Sequence, residues 1–169
     1  DSYQTTNGWW LIPTSEVTLT NIVSGLTVEE HTLPRRYAAH SLCFRSEAGS
    51  AGRDTAGMLR QHQFEKVEQF VICHPEKSWE QHEEMLMQCK TFTQSLGLSY
   101  RVVNIVSGDL NNAAAKKYDM EAWFPGYDDF REIVSIAFVV LGWLVVVGCG
   151  LWFTSIAVLF SPCCFFIFL

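Results

Sequence analysis

The chain has 169 residues, with 18 acidic and 12 basic side chains and a formal net charge of −6 at pH 7. This length is that of about one domain. The acidic balance excludes an overall basic field for nucleic acid, so any RNA contact must be local, near Arg35 and Arg36 or near Arg53 and Arg60. The six cysteines include no Cys-x-x-Cys pair, which supports neither a zinc site nor a disulfide framework and favours free thiols.

The first half of the chain predicts one helix and one hairpin. Thr14 is suited to cap a helix that begins at Ser15 and Glu16. Strands are predicted over residues 37–44 and 64–70, and a polar, glycine-rich loop over residues 48–57 joins them into a hairpin.

The second half predicts a long helix and further strands. The helix begins at Ser78, carries an apolar stripe at spacings of three and four, and ends at Gly97. The stripe consists of Trp79, His82, Leu86, Cys89, Phe92 and Leu96. Strands are predicted over residues 100–106, 118–124 and 130–135, and a short alanine-rich helix over residues 110–117. This order predicts an α+β fold, with an antiparallel sheet flanked by helices.

The predicted hairpin carries charged side chains where a buried face is expected. Successive side chains of a strand point to opposite faces, so Phe64, Lys66, Glu68 and Phe70 share one face. Arg45 stands at the end of the neighbouring strand. Buried charges cost several kcal/mol unless they meet a partner. A ligand with both phosphate and amine groups is the simplest partner for this set.

Several segments resemble the seryl-tRNA synthetase family of class II aminoacyl-tRNA synthetases, and they occur in the family's order. Residues 44–55 (FRSEAGSAGRDT) and 58–70 (MLRQHQFEKVEQF) are similar to its motif 2. Residues 11–16 (LIPTSE) are similar to its serine-recognition loop. Residues 118–125 (YDMEAWFP) and 130–135 (FREIVS) are similar to the strand before its ATP-site carboxylate and to the start of the carboxylate strand.

The resemblance covers residues 7–135 and implies a serine–tRNA ligase, which uses ATP and Mg²⁺ to convert L-serine to seryl-adenylate and then charges tRNA(Ser). It implies that Arg45 and Glu132 are catalytic, with Mg²⁺ on Glu132, and that the ring of Phe64 stacks on adenine. The implied serine-binding residues are Thr14, Glu16, Arg45 and Glu68. The implied ATP-binding residues are Arg45, Glu47, Gln61, His62, Gln63, Phe64, Glu132 and Ser135. Contact with tRNA(Ser) through residues 48–57, a homodimer and a cytoplasmic location are implied as well.

Some of these assignments have simpler alternatives. Glu16 is a typical acidic residue for the first turn of a helix, and Glu68 is a typical salt-bridge partner for Lys66. Pro-Thr-Ser-Glu also occurs in prolyl- and threonyl-tRNA synthetases, which are the alternatives within class II. The joint order of the segments, with the GRDT and HQFEKVE sequences, favours the seryl family.

The end of the sequence changes character after its last charged residue, Glu132. We therefore divide the chain into a partial class II catalytic domain over residues 1–135 and an uncharged hydrophobic tail over residues 136–169. As a helix, residues 136–160 would be longer than a bilayer core of about 30 Å. A helical membrane anchor is one interpretation of this tail, and an intron or frameshift product is the other.

Two features lead us to expect a fragment or a processed product. The chain begins with Asp1 rather than Met, and the family's motif 3 does not follow Ser135. We therefore expect that this chain alone does not charge tRNA. The alternative function is a non-catalytic, membrane-anchored module derived from a synthetase, located at the membrane.

Overall fold

The structure is a computed structural model that describes residues 2–47, 59–141 and 144–153. These residues form helices α1 (Ser15–Asn21) and α2 (Ser78–Ser95). The strands are β1 (Arg35–Phe44), β2 (Gln63–Cys73), β3 (Tyr100–Asn104), β4 (Ala114–Phe124), β5 (Asp129–Leu141) and β6 (Leu144–Phe153). They form a six-stranded sheet in the order β1-β2-β6-β5-β4-β3, and every neighbouring pair is antiparallel. The predicted α+β class with an antiparallel sheet is confirmed.

The helix α2 covers one face of the sheet. It ends just before Gly97, whose φ of +69° is a backbone conformation that glycine adopts without strain. His82, Leu86 and Cys89 of the predicted stripe are buried, but Trp79 is 56% exposed. The buried stripe is therefore rotated relative to the prediction, and polar Gln81 and Thr93 lie within it.

The apolar core consists of two clusters on opposite faces of the sheet. The cluster between α2 and the sheet contains Val71, Cys73, Met85, Leu86, Cys89, Met120, Val134, Ile136 and Phe138. On the other face, Leu19 of α1 and the following Val23 pack against Phe70 and Ile72 of β2. Because Phe64, Lys66, Glu68 and Phe70 alternate along β2, the polar members of this series lie on the α1 face.

The short helix predicted over residues 110–117 is wrong, since β4 begins at Ala114. The amide of Ala114 donates to the backbone oxygen of Asn111 (3.1 Å) and to its side-chain oxygen (3.2 Å), which closes a turn. Ala114 then pairs with Val139 of β5, and Lys116 pairs with Phe138. Pairing with a central strand outweighs the helix propensity of three alanines.

The helical conformation expected for the hydrophobic tail is also wrong where the structure describes it. Residues 136–141 continue β5, and residues 144–153 form β6, which lies between β2 and β5. A central strand can have an uninterrupted apolar sequence, so periodicity alone does not distinguish such a strand from a membrane helix. The three consecutive valines at positions 145–147 suit a strand because they are β-branched.

Across the described ranges, no helix is long and apolar enough to cross a bilayer. The remainder of the tail, residues 154–169, lies outside the described residues, as does the predicted 48–57 loop. The division of the chain at residue 135 stays a prediction, although β5 runs continuously through that position.

Candidate functional site

The β1–β2 hairpin positions the predicted charged residues as expected. Cys43 pairs with Phe64. Two residues further along, the amide of Arg45 donates to the carbonyl oxygen of His62 at 3.0 Å. Arg45 and Phe64 therefore lie side by side on one face. The guanidinium carbon of Arg45 is 5.2 Å from the centre of the Phe64 ring, and Arg45 Nε donates to the carbonyl oxygen of Pro13 at 3.1 Å.

Four side chains form a compact polar cluster beside α1, which we call the acidic pocket: Thr14, Glu16, Lys66 and Glu68. Thr14 caps α1, and its hydroxyl donates to Glu68 Oε2 at 3.2 Å. Lys66 Nζ donates to Glu68 Oε1 at 3.0 Å and to the Thr14 hydroxyl. Lys66 and Glu68 are 5% and 2% exposed, so their charges are held by each other and by Thr14 rather than by water.

The carboxylate of Glu16 is the part of the acidic pocket with spare hydrogen-bonding capacity. Within the described part of the chain, no side chain donates a hydrogen bond to it, and the residue is only partly buried. Burial and the nearby Glu68 carboxylate raise the pKa of Glu16, and the Lys66 ammonium offsets part of that rise. A cationic ligand would stabilise this carboxylate in its charged form.

A β-bulge brings Glu132 to the same face of the sheet as Ser135. Ser135 pairs with Asp119 and Val134 pairs with Met120, but Glu121 then pairs with Glu132, which leaves Ile133 without a partner in the β4–β5 register. In a regular strand, residues three apart point to opposite faces; the extra residue restores them to one face. The predicted ATP-site residues Glu132 and Ser135 therefore lie together.

The surroundings of Glu132 are suited to a cation. Although this side chain keeps access to solvent, surrounding protein atoms raise its pKa and the Asp119 carboxylate raises it further, while Lys117 and Arg45 oppose the shift. Lys117 Nζ lies 3.0 Å from Asp119 Oδ1. A carboxylate and a hydroxyl on one face are ligands that Mg²⁺ accepts.

A protein-only metal cage is not present in the described ranges, because no group of three or more His, Cys, Asp or Glu side chains in them could hold a metal ion. Mg²⁺ often takes one or two protein carboxylates and completes its shell with phosphate oxygens and water. The donor set of Glu132 and Ser135 therefore fits a metal that arrives with a nucleotide.

The other predicted ATP-site residues lie along the start of β2 and the end of β1. Glu47 Oε2 accepts from Arg60 at 2.8 Å. The ring nitrogen Nδ1 of His62 lies 2.7 Å from the hydroxyl of Tyr3, which ties the N-terminal segment to the hairpin. Gln63 opens β2 opposite Phe44, and Gln61, two residues before the strand, is partly buried.

Sequence reasoning missed three parts of this site. The sequence places Lys66 on one face with Phe64 and Glu68, but neither its pattern nor the family resemblance assigns Lys66 a role in ligand binding. Tyr3 gives no sequence signal. Gly148 of β6 lies beneath the acidic pocket, where a Cβ atom would come within 3.2 Å of Glu16 Oε1, and the hydrophobic sequence around it indicated a membrane segment instead.

Comparison with known proteins shows which family the chain belongs to. The model of the tRNA synthetase class II core domain (G, H, P, S and T) matches residues 3–141. The serine–tRNA ligase of Jannaschia sp. is 61% identical over 137 residues, which are 81% of this chain and 32% of that protein. The cytoplasmic serine–tRNA ligase of Dictyostelium discoideum is 58% identical over 126 residues, or 75% of this chain and 28% of that protein. The chain thus spans about a third of the length of the curated relatives it matches.

Solved structures agree with these matches. The seryl-tRNA synthetase of Pyrococcus horikoshii complexed with ATP superposes with a TM-score of 0.84 and 38% identity, over 89% of this chain and 38% of that one. The cytoplasmic serine–tRNA ligase of Naegleria fowleri in complex with AMP gives a TM-score of 0.83 and 42% identity, over 89% of this chain and 36% of that one.

Proposed function

Since the chain belongs to the class II tRNA synthetase core-domain family, we propose that it supplies the L-serine and ATP sites of a serine–tRNA ligase. In the complete enzyme, the serine carboxylate attacks the α-phosphate of ATP to form seryl-adenylate and pyrophosphate. The seryl group is then transferred to tRNA(Ser), whose acceptor end we assign to residues 48–57. We further propose that the complete enzyme is a homodimer located in the cytoplasm.

The acidic pocket is the observation that carries the serine assignment. Glu16 accepts the serine ammonium group, because its carboxylate is partly buried and has no donor from the described side chains. Glu68 accepts the serine hydroxyl, since each of its oxygens holds one donor already and retains a free lone pair. A pocket that expects a hydroxyl rejects alanine, because the polar group would be left without a partner.

We assign Arg45 to both the serine site and the ATP site, because the reaction needs a cation where the two substrates meet. Its Nε is bound to Pro13, next to Thr14, and its charge acts on Glu132. The attack brings a carboxylate against a phosphate, and a planar guanidinium can bridge both groups and offset their repulsion. Adenine stacking on Phe64, which is 6% exposed, then requires the guanidinium to swing from the ring toward the phosphate.

Glu132 and Ser135 are the residues that would hold Mg²⁺ with the nucleotide. When bound, the metal supplies positive charge that neutralises the phosphates and orients them for attack. The aromatic and basic groups of the hairpin hold the nucleotide on the other side, with Glu47, Gln61, His62 and Gln63 lining the adenine end.

Binding of the two substrates tests this proposal on the chain as it exists. Calorimetric titration with L-serine should show saturable binding that L-alanine, L-threonine and L-proline do not reproduce, and ATP should bind more tightly with Mg²⁺ than without it. Saturable binding of L-threonine or L-proline in preference to L-serine would instead assign the pocket to a different class II specificity. Absence of any amino acid binding would contradict the proposal.

A matched variant locates the binding. Glu68→Gln keeps the shape of the pocket and one acceptor oxygen, so we expect a loss of L-serine affinity of about tenfold or more with unchanged ATP affinity. Charging of tRNA is not the assay for this chain, because we expect charging to need the segments that the longer relatives possess.

A further inference from the structure

Lys66 is an almost fully buried cation, and its hydrogen bonds to described residues all lie within the acidic pocket. It stands on β2 between Phe64 and Glu68 and is 5% exposed. Its ammonium group donates to Glu68 Oε1 at 3.0 Å and to the Thr14 hydroxyl, and that hydroxyl donates its single proton to Glu68 Oε2. Thr14, Lys66 and Glu68 thus close a ring of three hydrogen bonds.

This ring fixes which atoms remain for a ligand. Thr14 Oγ1 accepts from Lys66 and donates its single proton to Glu68, so in this arrangement it has no proton left to donate to a ligand. Both carboxylate oxygens of Glu68 are held in place by one donor each. Glu16 stays outside the ring and keeps its carboxylate for a new donor.

The charges of the pocket lead to the same conclusion. Two carboxylates, Glu16 and Glu68, face one ammonium group, Lys66, so the pocket carries one net negative charge when all three are ionised. One ammonium group of a ligand neutralises that charge. Without Lys66 the pocket would carry two negative charges, which would favour protons or a divalent cation over an amino acid.

We propose that Lys66 is a positioning and specificity-determining residue of the serine site: it orients Thr14 and Glu68 and sets the pocket to the single negative charge that a monoammonium ligand neutralises. The inference rests on the proposed serine site and adds a residue that does not itself touch the ligand. A buried ion pair is weak evidence for a stabilising role alone, because apolar replacements are often as stable.

The test compares Lys66→Met with a matched lysine elsewhere on the sheet. Lys116 of β4 also pairs with a glutamate, Glu83, at 2.8 Å, but it lies on the α2 side. We expect Lys66→Met to weaken L-serine binding by about tenfold or more, with ATP affinity unchanged. Lys116→Met should leave both affinities unchanged.

The pH profile separates positioning from a purely structural role. The charged groups that act on Glu16 within the described ranges are Glu68 and Lys66, both on β2. L-serine binding needs ionised Glu16, so affinity falls as pH drops through the pKa of this group. Removal of Lys66 takes away the charge that lowers this pKa, and the midpoint should therefore move to higher pH. A variant that merely loses folded protein would bind less without moving the midpoint.

Lys66→Arg keeps the charge and covers the case in which Lys66→Met does not fold. We expect Lys66→Arg to retain the wild-type midpoint and to bind L-serine within about tenfold of wild type. A Lys66→Met chain that folds and binds L-serine with wild-type affinity and midpoint would overturn the inference and leave the proposed function intact. A Lys66→Arg chain whose midpoint moves to higher pH would also overturn it. If the wild-type chain binds no L-serine, the proposed function fails first.

Discussion

Gly148 of β6 lies directly beneath the carboxylate of Glu16: a Cβ atom on Gly148 would stand 3.2 Å from Oε1 and 3.6 Å from Cδ. Gly148 is buried and pairs with Phe70 and Ala137 on its two sides. The floor of the acidic pocket is therefore backbone, and the position of Glu16 depends on the absence of a side chain from the middle strand.

Gly148→Ala should weaken L-serine binding by about three- to tenfold, because the carboxylate must move by a few tenths of an ångström and small misplacements are costly in a polar site. ATP affinity should not change. Gly126→Ala is the matched control, since a Cβ there meets nothing within 4 Å. Calorimetric titration gives both affinities.

A second background sharpens this prediction. Glu16→Asp shortens the side chain and removes the close contact, so Gly148→Ala should cost less affinity in that background than in wild type. Equal costs in the two backgrounds would show that the Gly148 contact does not act through Glu16.

Glu16→Gln should raise stability while it weakens L-serine binding. Burial and Glu68 raise the pKa of Glu16, so the folded chain holds more protons than the unfolded chain just above the ordinary value of 4.5, and stability falls as pH rises through that interval. The helix dipole favours an ionised acid in the first turn. Burial and Glu68 outweigh this contribution, since the net shift of the Glu16 pKa is upward.

The neutral amide removes that cost, and we expect a gain of about 1 kcal/mol, or roughly 2–4 °C in thermal midpoint at pH 7. Differential scanning calorimetry at pH 7 and pH 4 measures the effect, which should shrink at the lower pH where Glu16 is protonated in both states. An equal gain at both pH values would contradict the electrostatic cause.

His82 should make the fold sensitive to mild acid. This fully buried residue donates from Nε2 to the carbonyl oxygen of Ile136 at 3.2 Å, and its ring stacks on Tyr118 at 5.1 Å. Its Nδ1 has no partner within the described residues. Burial lowers the pKa of His82 below its ordinary value of 6.5. The contribution of neutral His82 to the free energy of unfolding is therefore fully present above pH 6.5 and is lost as the pH falls below that value.

The loss should approach about 1.4 kcal/mol per pH unit below that value until the folded-state pKa is reached. His82→Leu should cost about 1–3 kcal/mol at pH 7.5 through the lost hydrogen bond and should flatten the profile between pH 7.5 and 5.5. Urea unfolding across this range is the measurement. The same slope in wild type and variant would exclude His82 as its source.

Glu132→Gln should remove the Mg²⁺-dependent part of ATP binding. The amide cannot supply the negative oxygen that a hard cation prefers, so ATP should bind the variant with the same affinity with and without Mg²⁺. L-serine binding should persist, because the acidic pocket is built from other elements. An undiminished response to Mg²⁺ in the variant would remove Glu132 as its ligand.

Local sequence signals correctly predicted the helix ends and the hairpin, which depend on residues that are close together in the sequence. Thr14 caps α1 as expected, Gly97 follows the end of α2, and the hairpin pairs Cys43 with Phe64 so that the alternation along β2 places Lys66 and Glu68 together. The family resemblance supplied the predicted residues of the site, because its motifs are long and ordered.

The remaining features depend on tertiary contacts that no local pattern contains. The β-bulge at Ile133 reverses the expected facing of Glu132 relative to Ser135, and residues 114–117 become a strand through pairing with β5. The sequence of β6 is equally compatible with a buried strand and a membrane helix, and its place between β2 and β5 decides between them.

The position of β6 bears on how the chain matures during synthesis. Within the described sheet, the acidic pocket on β2 and Glu132 on β5 belong to separate halves. The strand that joins these halves, β6, is the last of the described strands to leave the ribosome. Until it does, a nascent chain would present two unpaired inner edges, which are open to association with other chains. Chaperone protection in that interval would matter more for this topology than for one in which neighbouring strands emerge in order.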